Sequence, residues 1–233
     1  HSANTLGFQS WSMDLMFALP NQTESELAED LEEILKIEPP HVSLYGLTIE
    51  PSTPFKKSHD AGRFNLPDSD RWRAMYDRIV ETLQGAQFER YEVSNFAQTG
   101  HRAIHNESVW RGGHYAGLGP GAHGFLPNGR RTLSHKSLEA WFNDPYPEES
   151  QPENREAAID YLLSSLRHID GSSKTMLKKR SGYKLSGTDI ETLCKTSMIY
   201  QNNDHICLTT AGFPLADGIL SRLVEGMELI ELT

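Results

Sequence analysis

The 233-residue chain is poor in cysteine, with only Cys194 and Cys207. Two thiols cannot form a disulfide framework or a four-thiolate metal site, and they fall short of the thiolates that hold an iron–sulfur cluster. They read as reduced thiols of a cytoplasmic protein. No stretch of about 18 apolar residues occurs, which leaves no candidate for a transmembrane helix. The first residues, His1-Ser2-Ala3-Asn4, lack a start methionine, a basic stretch and an apolar stretch. They do not read as a secretory signal, and the expectation is a cut end. Basic residues are in deficit, with 22 Lys and Arg against 32 Asp and Glu for a net charge of −10. Without a basic footprint a nucleic-acid partner is not expected. What is present is enough apolar content, 37%, to build a core and exclude global disorder.

The acid is unevenly spread. From Arg90 to Lys136 there are six basic residues, two acids and five of the ten histidines. A positive, His- and Gly-rich segment in an acidic chain suggests an anionic small ligand; a solvated loop is the plainer alternative. Before it, 12–17 reads as a strand and Thr23-Glu24-Ser25-Glu26 as a capping box. A helix with Leu27, Leu31, Ile34 and Leu35 on one face follows, then a strand at 42–47. Strand, helix and strand in about 35 residues make a parallel crossover. A second helix starts at Asp68, a short strand covers 91–96, and 100–130 is loop-like. The proline- and acid-rich segment 144–149 reads as a linker, dividing the chain into domains 1–143 and 144–233. Beyond it helices are expected at 153–169, 174–180, 188–196 and 215–225, with a hairpin at 198–208. Helices followed by such a hairpin suggest a winged-helix-like module, here without the basic surface that DNA binding needs.

Several residues carry candidate chemistry. Asp14 lies in an apolar strand, where a buried unpaired carboxylate would be costly. At the C-terminal end of a parallel strand it would instead face the mouth of an α/β sheet, where ligands bind. Thr48 follows the next strand in an equivalent position. His105-Asn106 with Trp110 is the sharpest local group: an imidazole to ligate a porphyrin iron, an amide to orient it and a flat apolar ring. A mononuclear metal site from His101 and His105, with His114, His123 or Glu107 as third ligand, is a weaker alternative because Gly100 disfavours the helix it needs. The run Gly117-Leu118-Gly119-Pro120-Gly121-Ala122-His123-Gly124 lacks the Gly-Lys-Ser/Thr of a nucleotide P-loop.

Taken in order, Met13-Asp14-Leu15-Met16-Phe17-Ala18-Leu19-Pro20-Asn21-Gln22-Thr23, Pro40–Pro51, Tyr91–Ala97, His105-Asn106 with Trp110, and Tyr115–Gly124 resemble one family. It is the oxygen-independent coproporphyrinogen III oxidase-like group of radical AdoMet proteins, in its HemW heme-chaperone branch. The resemblance implies an α/β fold, the C-terminal part of an incomplete (β/α)6 barrel followed by a small helical, winged-helix-like domain. It covers the C-terminal two-thirds of a family member, without the C-x-x-x-C-x-x-C segment that holds the four-iron four-sulfur cluster. It implies that Asp14 and Thr48 contact S-adenosylmethionine and that His105, Asn106 and Trp110 bind heme. Val109 stands where the heme motif has Tyr, and Ala18 where the strand-end turn has Gly.

The resulting expectation is a cytoplasmic heme-binding chaperone that passes heme to apo-protein acceptors. Reductive AdoMet cleavage is not expected of a chain without cluster ligands. The second reading is an AdoMet- and cluster-dependent oxidoreductase of the coproporphyrinogen dehydrogenase type, needing a missing N-terminal segment; a hydrolase ranks third. Strand 12–17, deprived of a barrel neighbour, would present an edge open to homodimerisation.

Overall fold

The structure, a computed structural model, describes residues 2–230. The chain forms two compact units, His1–Ala103 and Ile104–Thr233. The first unit contains α1 (Ser2–Thr5), β1 (Ser12–Phe17), α2 (Glu24–Ile37), β2 (His41–Gly46), α3 (Pro54–Asp60), α4 (Ser69–Gly85), β3 (Glu89–Arg90) and β4 (Asn95–Ala97).

The α2 helix starts where its chemistry dictates. The Thr23 hydroxyl accepts from the Glu26 amide, and the Glu26 carboxylate accepts from the Thr23 amide at 2.8 Å. That last bond holds the Glu26 carboxyl below its usual range. The helix stops at Glu38, which adopts a left-handed conformation just before Pro39-Pro40. Reversal by α2 places β2 parallel to β1, in register from Ser12↔His41 to Phe17↔Gly46. The strand order is β1-β2-β4-β3, so β1 lies at the sheet edge. Leu27, Leu31 and Ile34 of α2 and Met75, Ile79 and Leu83 of α4 form one buried cluster with Phe17, Val42 and Leu44.

Of the strand expected at 91–96 only the end forms, in β4, and the residues before it are a reversal. β3 and β4 form a short antiparallel pair, and β4 runs antiparallel to β2. The buried Glu92 carboxylate accepts from the Ser94 amide at 2.7 Å and from the Asn95 side chain, folding the chain back between them.

The second unit contains α5 (Ile104–Trp110), β5 (His123–Phe125), β6 (Arg131–Leu133), α6 (Leu138–Asn143), β7 (Glu148–Ser150), α7 (Asn154–Ser165) and β8 (Ser172–Ser173). It continues through α8 (Lys174–Ser181), β9 (Tyr183–Lys184), α9 (Gly187–Lys195), β10 (Ile199–Asn202), β11 (His205–Leu208), α10 (Ala216–Glu225) and β12 (Glu228–Leu229). The segment 100–130, read as loop, thus holds a helix and a strand. The expected linker 144–149 leads into a strand: β7 pairs with β6 from Arg131↔Ser150 to Leu133↔Glu148, so the sheet crosses the 143/144 junction. The expected helix 153–169 ends at Ser165, with Ile169 left 39% exposed. Helices α8, α9 and α10 and the β10–β11 hairpin fall where the sequence places them. The hairpin also pairs with β8 in the order β10-β11-β8. Its turn residue Asp204 accepts from the Ser173 hydroxyl and from the Thr175 amide and hydroxyl at 3.0 and 2.8 Å. These bonds hold its carboxyl below the usual range and tie the hairpin to the start of α8. Among the described residues no helix is long and apolar enough to cross a membrane.

Candidate functional site

Strand alternation gives the first unit two different sheet faces. Met13, Leu15 and Phe17 pack toward the helices, whereas Ser12, Asp14 and Met16 share the other face with His41, Ser43 and Tyr45 of β2. Asp14 is exposed there, within 3.4 Å of the Ser12 hydroxyl. It is the third of six strand residues, opposite Ser43, and not at the C-terminal end that the sequence suggests. Thr48 lies two residues beyond the end of β2. Asp14 therefore lies within β1, whereas Thr48 follows the end of the neighbouring parallel strand, five positions beyond the residue that Asp14 opposes.

Sequence reasoning missed the most constrained polar group of this face, His41. It is 2% exposed. Its Nδ1 lies 2.8 Å from the Ser12 hydroxyl, and its Nε2 lies 2.8 Å from the Tyr91 hydroxyl. The signal was present: His41 is the one ionisable residue in an otherwise buried strand start, His41-Val42-Ser43-Leu44. Burial pushes the His41 pKa down, opposed in part by the Asp14 charge. As pH falls below about 6.5 the unfolded chain takes up a proton that native His41 still refuses, so stability drops until the lowered native value is passed. A melting series from pH 7.5 to 5 is expected to fall more steeply for the wild type than for His41→Gln. Parallel slopes would contradict this reading.

In the second unit the His105 side chain is exposed on α5, and Asn106 and Trp110 are half-buried. Helical spacing puts His105 on one face with Val109, and Asn106 on one face with Trp110. The Trp110 indole nitrogen is buried with no hydrogen-bond partner among the described residues. Val109 forms part of the wall of a cavity of about 720 Å³, with His114, His123, Phe125, Arg131 and Arg180. Such a volume falls in the range of about 300–1,000 Å³ typical of cofactor sites.

The α5 helix is fixed from below by charge. Arg111 reaches Asp170 at 2.8 Å and Glu107 at 3.3 Å. Between these carboxylates lies His168, 1% exposed, whose Nδ1 accepts from the Asp170 amide at 3.1 Å and whose Nε2 stands 3.6 Å from Glu107. Glu107 is thereby committed to holding the helix. Because α5 starts at Ile104, His101 lies outside it, and the helical spacing required for the His101–His105–Glu107 metal site is not formed. Among the described residues no group of three or more His, Cys, Asp or Glu side chains could hold a metal ion.

The glycine-rich run turns at Gly119–Ala122, where the Ala122 amide donates to the Gly119 carbonyl, and runs on into β5. Tyr115 and Phe125 exchange two backbone hydrogen bonds of 2.9 Å across it. A Cβ on Gly124 would strike the Thr132 hydroxyl, so glycine is required there by close strand packing.

No family model matches the chain. It is 30% identical over 231 residues to the heme chaperone HemW of Bacillus subtilis, covering 95% of this chain and 61% of that protein. It is 32% identical over 177 residues to the heme chaperone HemW of Escherichia coli, covering 74% and 46%. Over 119 residues it is 43% identical to the mitochondrial radical S-adenosyl methionine domain-containing protein 1 of Danio rerio, covering 51% and 27%. The chain spans about three-fifths of the length of the first of these relatives. Among solved structures it is similar to coproporphyrinogen III oxidase (HemN) from Escherichia coli, described as a radical SAM enzyme. The TM-score is 0.72 at 14% identity, over 95% of this chain and 56% of that one. At that identity the match speaks for the fold: an α/β arrangement of mixed sheets and helices.

Proposed function

We propose, from the premise that this chain belongs to the HemW branch of the oxygen-independent coproporphyrinogen III oxidase-like radical AdoMet family, that it binds heme through His105 and delivers it to apo-protein acceptors. One observation carries the reading: an exposed imidazole stands on a helix whose next turn, at Val109, walls a cofactor-sized cavity. The residues fit the group. The His105 imidazole is open to accept iron, and the unpaired buried Trp110 N–H is a donor left without an acceptor, an arrangement that costs about 1–3 kcal/mol. Asn106 lies beside them to orient the ligand. Heme, when bound, would supply an iron centre that takes imidazole nitrogen as a ligand. The chain's own part is to offer that iron the His105 imidazole from a helix fixed through Glu107 and His168.

Asp14 and Thr48 are proposed as AdoMet contacts, a carboxylate on β1 and a hydroxyl just beyond the end of β2. The chain's own residues do not fit an iron–sulfur cluster. The thiols number two, and Cys207 is buried with its Sγ 3.3 Å from the Asp170 carbonyl. The oxidoreductase reading would need thiolates from outside this chain. The first unit is proposed to be part of an incomplete (β/α)6 barrel, supported by the parallel β1–β2 pair and the edge position of β1. That edge is the proposed route to a homodimer. The second unit is proposed to include a winged-helix-like module, supported by the order α7, β8, α8, α9, β10, β11 and the sheet order β10-β11-β8. A cytoplasmic location is proposed with it.

Titration of hemin into the full chain, followed at the Soret band, tests the reading. Wild type is expected to give a saturable red shift at one heme per chain, and His105→Ala to weaken binding at least tenfold. His105 is exposed, so its loss should leave folding intact. An unchanged titration in the variant would remove His105 from the account.

A further inference from the structure

We infer that the cavity of the second unit seats the tetrapyrrole ring and that His123 supplies a second imidazole to the iron. This rests on the heme reading above and deepens it.

The cavity has a built wall. On the β5–β6 pair, His123 lies opposite Leu133 and Phe125 opposite Arg131, so His123, Phe125 and Arg131 share one sheet face. All three line the cavity. Arg131 is held on Asp160 of α7, its Nε 2.6 Å from Oδ2, which locks the sheet to the helix on the far side. His114 is packed against the Phe125 ring, centroids 5.3 Å apart, and the two form an aromatic wall suited to a flat macrocycle. The His123 side chain, by contrast, makes no hydrogen bond, ion pair or ring contact among the described residues; it is exposed and lines the cavity. Its nitrogens are therefore available to a metal.

The cavity also offers a cation for the ligand's carboxylates. Arg180 lies over the Tyr161 ring, 5.1 Å from the centroid, and donates to the Gly112 carbonyl at 2.9 Å. Held there, it keeps further N–H donors for a propionate. His105 stands one turn, about 5–6 Å, before Val109 on the same helix face, and Val109 is the α5 residue that lines the rim of the cavity. Val109, smaller than the Tyr of the family motif, leaves that rim open. An iron tetrapyrrole fits this set as a whole: a flat apolar body, two nitrogen donors and a cation.

The test is electron paramagnetic resonance and visible spectroscopy of the ferric-heme complex of the full chain. The wild type is expected to be six-coordinate and low-spin. His123→Ala is expected to become five-coordinate and high-spin while still binding, and added imidazole to restore the low-spin spectrum. Both histidine side chains are exposed, so circular dichroism should show unchanged folding in each variant. A low-spin spectrum that persists in His123→Ala, or a high-spin wild type, overturns the inference. If His105→Ala abolishes binding while His123→Ala changes nothing, the seat lies elsewhere and the His105 reading stands. If His123→Ala alone changes the spectrum, the seat stands and the His105 reading fails.

Discussion

Gly171→Ala is expected to destabilise the second unit by about 3 kcal/mol and lower its melting midpoint by on the order of 10 °C. Two independent causes act at this position. Gly171 has φ of +70°, a conformation that side chains with a Cβ resist. An added Cβ would press into the Ile206 carbonyl and lie 2.8 Å from Cys207 Cα, so the obstruction is backbone and cannot rotate away. Relief requires the turn after α7 to move away from β11. That turn also carries His168 and Asp170, which hold α5 through Glu107 and Arg111. The same variant is therefore expected to weaken heme binding without touching the ligand. Gly187→Ala, at a position with nothing within 4 Å of the new Cβ, is the matched control and should change the midpoint little. Equal midpoints for both variants, measured by circular dichroism, would contradict the packing described for this turn.

Phe17→Ala is expected to cost the first unit about 3–5 kcal/mol. Phe17 is 1% exposed, at the end of β1. Its ring lies 5.4 Å from that of Trp72 and 6.4 Å from that of Tyr76. The space cannot collapse easily, because the neighbouring Gly46 position is already tight: a Cβ there would sit 2.8 Å from the Trp72 indole nitrogen. Met16→Ala is the comparison: the adjacent side chain faces the opposite way and is 44% exposed, so its loss should cost much less. Denaturant unfolding read by circular dichroism distinguishes the two. A loss under about 1 kcal/mol in Phe17→Ala would mean that β1 is not anchored by this contact.

The elements most legible in the sequence were those whose signals are local. Thr23 and Glu26 announced the start of α2, Asp68 that of α4, and the β1–α2–β2 spacing fixed a parallel pair. The sheet β5-β6-β7 was not legible, because its strands are three residues long and two of them are separated by α6. Periodicity cannot register at that length. The reversal at 91–96 depended on a buried Glu92, whose role appears only once its partners are in place. At the candidate site the sequence singled out His105, Asn106 and Trp110 as a local cluster. It could not show that Val109 leads to a cavity also lined by His123, because that cavity is assembled from the Gly-rich turn, the β5–β6 pair and α7. Nor could it show that His41 is clamped between Ser12 and Tyr91, residues 29 and 50 positions away.

The proposed heme site depends on an imidazole from α5 as ligand to the iron. Electron–nuclear double resonance on the ferric-heme complex of the chain labelled with ¹⁵N-histidine reads that bond directly. Strong coupling to imidazole nitrogen is expected in the wild type, with the loss of one such coupling in His105→Ala. The same set of couplings in both proteins, or none in the wild type, would contradict it.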